Sequence, residues 1–515
     1  MKHFAVFLLA GAAFAQSTVR IPMAEFRDRV KGGWAGQMIG VSYGAPTEFR
    51  FNEVIIPKEQ LPQWSPEKIT NSLNQDDLYV DMTFAKVLDD KGLDATTEDF
   101  GEMFRNARYA LWHANLSARR NLKRGVPAKL AGHPDYNVHA DDIDFQIESD
   151  FIGLMAPGMP RSATDIAMRA GRVMNYGEGL YGGVFVSCMY SAAFFEKSPR
   201  AVVEAGLRCL PPQSKYHKLI GDVLAWAKAE PKDWESVWRQ IEKKWNNAEP
   251  CPEGAMRPFN IDAALNGAYI ALGLLYGDGE MNKTIEVSTR AGQDSDCNPS
   301  SAAGILGVML GYERIPDHWK SHIPSISKEK FRYTDFTFES IVDSTVTRAV
   351  KLTTRQGGKQ DGDNLAVKTQ AAKAAPFEQW KGRAAAKERI AVPDARWSFA
   401  GAWKQDKQTI RNTERHLRTS GEKGAEAVVT FEGTGVVVSG PFLPTCGKAE
   451  FVLDGKAPKV SDCYPDEDVR KLNDSMFHAF GLSKGKHTLR IRVLGERIFE
   501  SKGTEIALND VIVFE

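Results

Sequence analysis

The stretch KGGWAGQMIGVSYGAP, residues 31–46, sets a glycine at every fourth position: Gly32, Gly36, Gly40 and Gly44. On an α-helix that spacing stacks all four along one face. A face without side chains lets another backbone come close, so the stretch predicts a helix packed tightly against a neighbour. It is too short to cross a bilayer, and Lys31 and Gln37 interrupt it. Outward from it, residues from about 21 to 340 keep a helical pattern. SARRNLKRG and DWESVWRQIEKKW are amphipathic, whereas NIDAALNGAYIALGLLYG and PSSAAGILGVMLG are apolar or small on most faces. Helices of the second kind belong inside a large α-helical domain.

The period then changes. Residues 341–395, with RQGGKQDGDNLAVKTQ at their centre, lose clear periodicity and are expected to form a connector. From about 396 to 515 the runs AEAVVTFEGTGVVVSGPF, KAEFVLDGK, KHTLRIRVLGE and IALNDVIVFE alternate with period two between Gly, Pro and Asp turns. They predict an antiparallel β-sandwich. The expected fold is thus all-α followed by all-β, in a chain of 515 residues that exceeds one hydrophobic core.

Lysine plus arginine and aspartate plus glutamate each number 66, so the formal net charge is zero and no basic footprint for nucleic acid or anionic membrane is present. Lys2 and His3 precede an apolar run ending in Ala13-Phe14-Ala15, the pattern of a signal peptide spanning residues 1–15 and cleaved before Gln16. The expected location is therefore periplasmic or secreted. Six cysteines in so long a chain do not make a disulfide scaffold; Cys446 and Cys463 are the best candidate pair, and Cys188 and Cys297 are expected to stay thiols. Cys209 and Cys251 could also pair.

Two acidic pairs open apolar helices: Asp76-Asp77 in NQDDLYVDMTFAKVL, and Asp294-Ser295-Asp296 in AGQDSDCNPSSAAGILGVMLG. Negative charge suits a helix start, so N-capping accounts for single aspartates. Paired carboxylates before a buried helix equally suit a hard divalent cation. The pattern alone leaves both readings open.

With these motifs in hand, the chain resembles the ADP-ribosylglycohydrolase (dinitrogenase-reductase-activating glycohydrolase-like) superfamily. GGWAGQMIGVSYGAPTEF, NQDDLYVDMTF and AGQDSDCNPSSAAGILGVMLG stand in the order of that family's three motifs. The resemblance implies an all-α orthogonal bundle holding two divalent cations, usually Mg²⁺, with Ca²⁺ or Mn²⁺ as alternatives. It implies Gln75, Asp76, Asp77, Asp294, Asp296 and Cys297 as the ligand positions. Gln75 and Cys297 replace threonines of the family pattern; an amide oxygen suits Mg²⁺, while a cysteine sulfur suits it poorly. Glu48 matches a catalytic glutamate of some members, and Glu48 with Asp77 is the expected catalytic pair.

The chain lacks the Gly-Asn-Gly stretch followed by Ala-Met-Arg that marks members acting on ADP-ribose. Its middle region reads NVHADDIDFQIESDFIGLMAPGMP, where carboxylates would repel a diphosphate. His139, Asp141, Asp142 and Asp144 there, with Asn175, Tyr176 and Glu178 in the Gly-rich NYGEGLYGG, are expected to contact substrate. The expected function is metal-dependent hydrolysis of a glycosidic bond in a ribose-like sugar, glycoside or glycan, with the β-sandwich as a possible carbohydrate-binding accessory. The alternatives are hydrolysis of ADP-ribosylated substrates and an inactive carbohydrate-binding protein. The expected partner is a small molecule or glycan, with no nucleic acid and no membrane insertion; oligomeric state is left open.

Overall fold

The structure is a computed structural model that describes residues 17–246, 251–410, 413–465 and 473–515. The expected signal peptide lies outside the described residues. The glycine stripe organises the helical half. Helix Met23–Gly44 runs antiparallel to helix Cys297–Leu310. A Cβ placed on Gly32, Gly36, Gly40 or Gly44 would lie 2.2, 2.2, 2.2 or 2.0 Å from the carbonyl oxygen of Gly307, Ala303, Pro299 or Ser295. Four successive contacts with backbone mean that the two helix axes approach as closely as main chains allow. The last contact fixes the residues just before the second helix, including Asp294 and Asp296, against the end of the first.

Around this pair pack helices that are apolar on most faces, notably Glu178–Ala193 and Ala263–Tyr276, whose described residues are almost all buried. A capping box of Thr337 and Ser340 starts the last long helix, Phe338–Arg355. The chain then makes a hairpin, Lys359–Asp361 and Asn364–Lys368, and the second strand pairs antiparallel with Thr18–Pro22. The two ends of the helical body are thereby tied together. The stretch expected as a connector therefore carries a helix, a hairpin and the strand Ala386–Ala391, with an extended passage between. That passage lies on the helical body: the Tyr181 hydroxyl donates to the Pro376 carbonyl at 2.9 Å, and Arg383 pairs with Asp141 at 2.6 Å.

The C-terminal part is antiparallel. A seven-stranded sheet is built on the long strands Glu426–Pro441 and Asn473–Val493. Irregularities between Ser475 and Phe477 and between Phe480 and Gly485 bend the second of them. A three-stranded sheet, Ile506–Leu508, Thr413–Ser420 and Lys404–Ile410, completes it. Alternating Val429, Phe431, Val436, Val438, Leu489, Ile491, Val511 and Val513 form one core. All six cysteines are buried thiols, so Cys446 and Cys463 are not bridged here.

The two parts share an interface. Val138, Ala140 and Ala255 of the helical part cluster with Trp380, Val437, Ile512 and Phe514. Buried Arg120 pairs with Asp474 and stacks over the Phe442 ring at 4.1 Å. Arg124 donates to the Asp462 carbonyl at 2.6 Å, and His478 donates to the Pro134 carbonyl at 2.8 Å. Among the described residues no helix is long and apolar enough to cross a membrane.

Candidate functional site

The two acidic motifs meet because two loops are laced together. The Phe49 amide donates to the Gln293 carbonyl at 2.9 Å, and the Gln293 amide donates to the Phe51 carbonyl at 3.0 Å. Gly292 at φ +81° permits this turn, since a Cβ there would lie 2.5 Å from the Phe51 oxygen. The Thr47 and Ser295 hydroxyls meet at 2.8 Å. Exposed Glu48 is thereby set beside buried Asp294, close enough for its charge to contribute to the upward shift of that carboxyl.

Helix Asp76–Lys91 delivers the other pair. Gln75 stands at its N-cap position, half-buried, and makes no side-chain cap bond. Asp76 is half-buried and Asp77 is buried. The Cys297 thiol donates to Asp77 Oδ2 at 3.4 Å across the gap between the helix starts. Burial and the Asp76 charge push the Asp77 carboxyl well above the usual range, and burial raises Asp76 as well. Burial and Asp296 do the same for Asp294, while burial and Asp77 bring Asp296 to about 7. The thiol of Cys297 is pushed well up by burial and by Asp294, so it is a neutral S–H donor rather than a thiolate.

From the middle region Glu148 joins this group. It is buried, accepts a hydrogen bond from Asn115 Nδ2, and lies near enough to Asp76 to feel its charge; burial and Asp144 raise its carboxyl well above the usual range. Asp77 Oδ1, Glu148 Oε2, Asp294 Oδ1 and Asp296 Oδ1 are all buried and without a hydrogen-bond partner. An unpaired buried carboxylate oxygen costs on the order of several kcal/mol, and several together repel. Cations shared among them remove both costs, and an all-oxygen donor set suits a hard divalent ion. One donor atom each from Asp294, Asp296 and Cys297 also lies within 4.8 Å of the others. The residues present thus fit the metal that the motifs implied, with Cys297 as a hydrogen-bond donor to a ligand.

A deeper acidic pair was not singled out from the sequence. Asp81, one helical turn beyond Asp77, accepts from the Phe151 amide at 3.2 Å, and Asp150 accepts from Gln37 Nε2 at 2.5 Å. Burial pushes both carboxyls well up, and the Asp81 charge adds to the shift of Asp150. The i, i+4 spacing from Asp77 to Asp81 was the available signal, since it places both on one helix face.

Most residues expected to contact substrate also bond to the protein. Asp144 accepts from the Asn115 amide at 2.9 Å and holds the start of helix His113–Lys123; burial brings its carboxyl to about 6. Asp141 pairs with Arg383, and burial, partly offset by that guanidinium, brings it to about 7. Asn175 bonds the Phe145 amide and the Ala140 and Asp142 carbonyls. Glu178 accepts from the Lys215 and Tyr216 amides at 2.9 and 2.8 Å, at the start of helix Lys215–Ala229. His139 bridges Asp142 and Asp474. Half-buried Tyr176 lines a cavity of about 370 Å³ with His133, Trp380 and Phe480, at the junction of the two parts. A cavity of about 860 Å³ lined by Arg20, Arg29, Arg200 and Arg314 shares no residue with the carboxylate group.

The end of helix Met23–Gly44 and the start of helix Cys297–Leu310 thus meet at a cluster of buried carboxylates. The chain belongs to the ADP-ribosylglycohydrolase family, whose model matches residues 22–353, and is thus a hydrolase of glycosidic bonds. A solved ADP-ribosylglycohydrolase-related protein complex is similar at 15% identity, with a TM-score of 0.41, over 63% of this chain and 98% of that one. A family two carbohydrate esterase from Cellvibrio japonicus is similar at 11% identity over 25% of this chain and 33% of that one, with a TM-score of 0.18. A two-domain esterase active on acetylated mannans, co-crystallised with mannopentaose, is similar at 16% identity over 34% of this chain and 46% of that one, with a TM-score of 0.21. No curated protein matches the chain.

Proposed function

We propose that the protein is an exported, divalent-cation-dependent glycohydrolase acting on a ribose-like sugar, glycoside or glycan. The observation that carries this reading is the set of buried carboxylate oxygens without hydrogen-bond partners on Asp77, Glu148, Asp294 and Asp296. Asp76, Asp77, Asp294 and Asp296, with Gln75 at the rim, would hold two divalent cations, Mg²⁺ first. Bound there, such ions supply Lewis acidity toward sugar hydroxyls and water. Glu48 is exposed beside Asp294, and in this reading takes a proton from the water that attacks the anomeric carbon. The Cys297 thiol holds Asp77 by one hydrogen bond, leaving the other carboxylate oxygen for the site. The surrounding carboxylates offset positive charge growing at the anomeric carbon in an oxocarbenium-like transition state.

The missing Gly-Asn-Gly stretch, found in members that bind ADP-ribose, favours a glycoside or glycan over a diphosphate substrate. Export rests on the charged and apolar pattern of residues 1–15. The test is hydrolysis of a panel of glycosides, glycans and ADP-ribosylated substrates by the chain from Gln16, with Mg²⁺, Ca²⁺ or EDTA. Metal-dependent release of sugar from a glycoside supports the reading. Release of ADP-ribose alone moves the substrate to the family's named chemistry. Binding of glycans without turnover makes the protein a lectin-like relic.

A further inference from the structure

A second group of ligand-type side chains lies beside the acidic site, and its chemistry differs. His113, at the start of helix His113–Lys123, His139 and Asp142 in the loop that follows, and Cys251 each place one donor atom within 4.8 Å of the others. His113 Nδ1 and His139 Nδ1 approach the same oxygen, Asp142 Oδ2, at 3.6 and 2.7 Å. Two imidazoles, a carboxylate and a thiol form a borderline-soft set, in contrast to the all-oxygen set of the acidic motifs.

The other nitrogen of His139 decides what the group needs. Nε2 is 2.9 Å from Asp474 Oδ1, on the long strand Asn473–Val493 of the β part. Facing a carboxylate at each nitrogen, the ring needs positive charge at Nδ1, supplied either by a proton, as an imidazolium that donates to both Asp142 and Asp474, or by a metal ion held between Nδ1 and Asp142. The grouping of four ligand-type atoms, rather than this contact alone, points to the metal. A carboxylate that fixes the far nitrogen is the usual outer support of a metal-bound histidine. Asp474 is itself anchored by Arg120. Cys251 packs with Ile143, Ile147, Phe259, Ile261 and Cys297, and Phe259 stacks on His113 at 5.6 Å. His113 has φ +42°, a strained conformation for a non-glycine residue.

We propose that His113, His139, Asp142 and Cys251 bind a structural zinc ion that joins the helical part to the β part through His139 and Asp474. Four protein ligands make a closed site. Ligands at about 2.0–2.3 Å from zinc stand roughly 3.3–3.8 Å apart, so the cluster has to close by only about 1 Å. The ion pins three stretches of chain: the start of helix His113–Lys123, the loop around His139, and the stretch that carries Cys251.

The test uses the full chain without a histidine tag, expressed with zinc and analysed by metal mass spectrometry, then stripped and titrated with Co²⁺. The expected result is one zinc per chain and, with Co²⁺, tetrahedral visible bands together with a thiolate-to-metal charge-transfer band. Cys251→Ser removes the charge-transfer band, and His113→Gln weakens Co²⁺ affinity by at least about tenfold. Asp294→Ala, in the acidic site, leaves both signals intact, so loss of the Mg²⁺ reading and loss of this one are separable. Absence of zinc and of the charge-transfer band in the unmutated chain overturns the proposal, whatever the variants do. So does a charge-transfer band that survives Cys251→Ser, or one abolished by Asp294→Ala.

Discussion

Gly36→Ala tests the close approach of the two central helices. Its Cβ would lie 2.2 Å from the Ala303 carbonyl oxygen and 2.7 Å from Gly304 Cα, both backbone. An ordinary contact needs about 3.4 Å, so the helices must part by roughly 1 Å along the whole glycine stripe. Alanine gains about 1 kcal/mol over glycine in helix propensity. Overpacking costs about 1–3 kcal/mol where side chains can yield, and more where backbone must move. The expected net effect is destabilisation by about 2–3 kcal/mol. Gly221→Ala is the control: that glycine lies in helix Lys215–Ala229 with nothing within 4 Å of its added Cβ. There the propensity gain stands alone, and stability rises by about 0.5–1 kcal/mol. Urea unfolding of both variants, followed by far-ultraviolet circular dichroism, makes the comparison. Equal stability of the two variants would refute the packing argument.

Three further outcomes follow from particular contacts. Burial depresses His478 to about 4 in the folded protein, while the unfolded imidazole titrates near 6.5, so stability is lost as pH falls from 6.5 toward 4 and is kept above that window. That loss amounts to up to about 3 kcal/mol, and His478→Gln should show a correspondingly smaller drop in melting temperature on acidification. Cys297→Thr puts a hard oxygen where a thiol now stands and should tighten Mg²⁺ binding, read by calorimetry; weaker binding would mean that the S–H bond to Asp77 matters more. Asp474→Ala leaves buried Arg120 without its carboxylate and should destabilise the junction of the two parts by about 3–5 kcal/mol. Limited proteolysis should then separate the helical and β parts faster than in the unmutated chain.

The glycine stripe and the change of period to two were enough to read helices first and strands after, because both signals are local. What each glycine touches was not legible: the partners Ser295 to Gly307 come from a helix more than 250 residues away. The pairing of Thr18–Pro22 with Asn364–Lys368 was hidden for the same reason, and so was the structure of the stretch read as a connector. In the site, the two acidic pairs stood out because adjacent carboxylates before apolar helices are conspicuous. Asp81 did not, since a single aspartate within a helix reads as a solvated position. The middle-region residues were legible as a polar group, but their partners were not. Asp144 and Glu178 serve backbone amides of other helices, and His139 faces a carboxylate 335 residues away.

The central claim is that the carboxylates of the two motifs bind divalent cations. The most direct measurement is calorimetric titration of Mg²⁺ into chelator-treated protein, with Asp294→Asn alongside. The account predicts saturable binding that raises the melting temperature of the unmutated chain, and loss of both effects in the variant. Absence of binding in the unmutated chain, or equal binding in the variant, would contradict it.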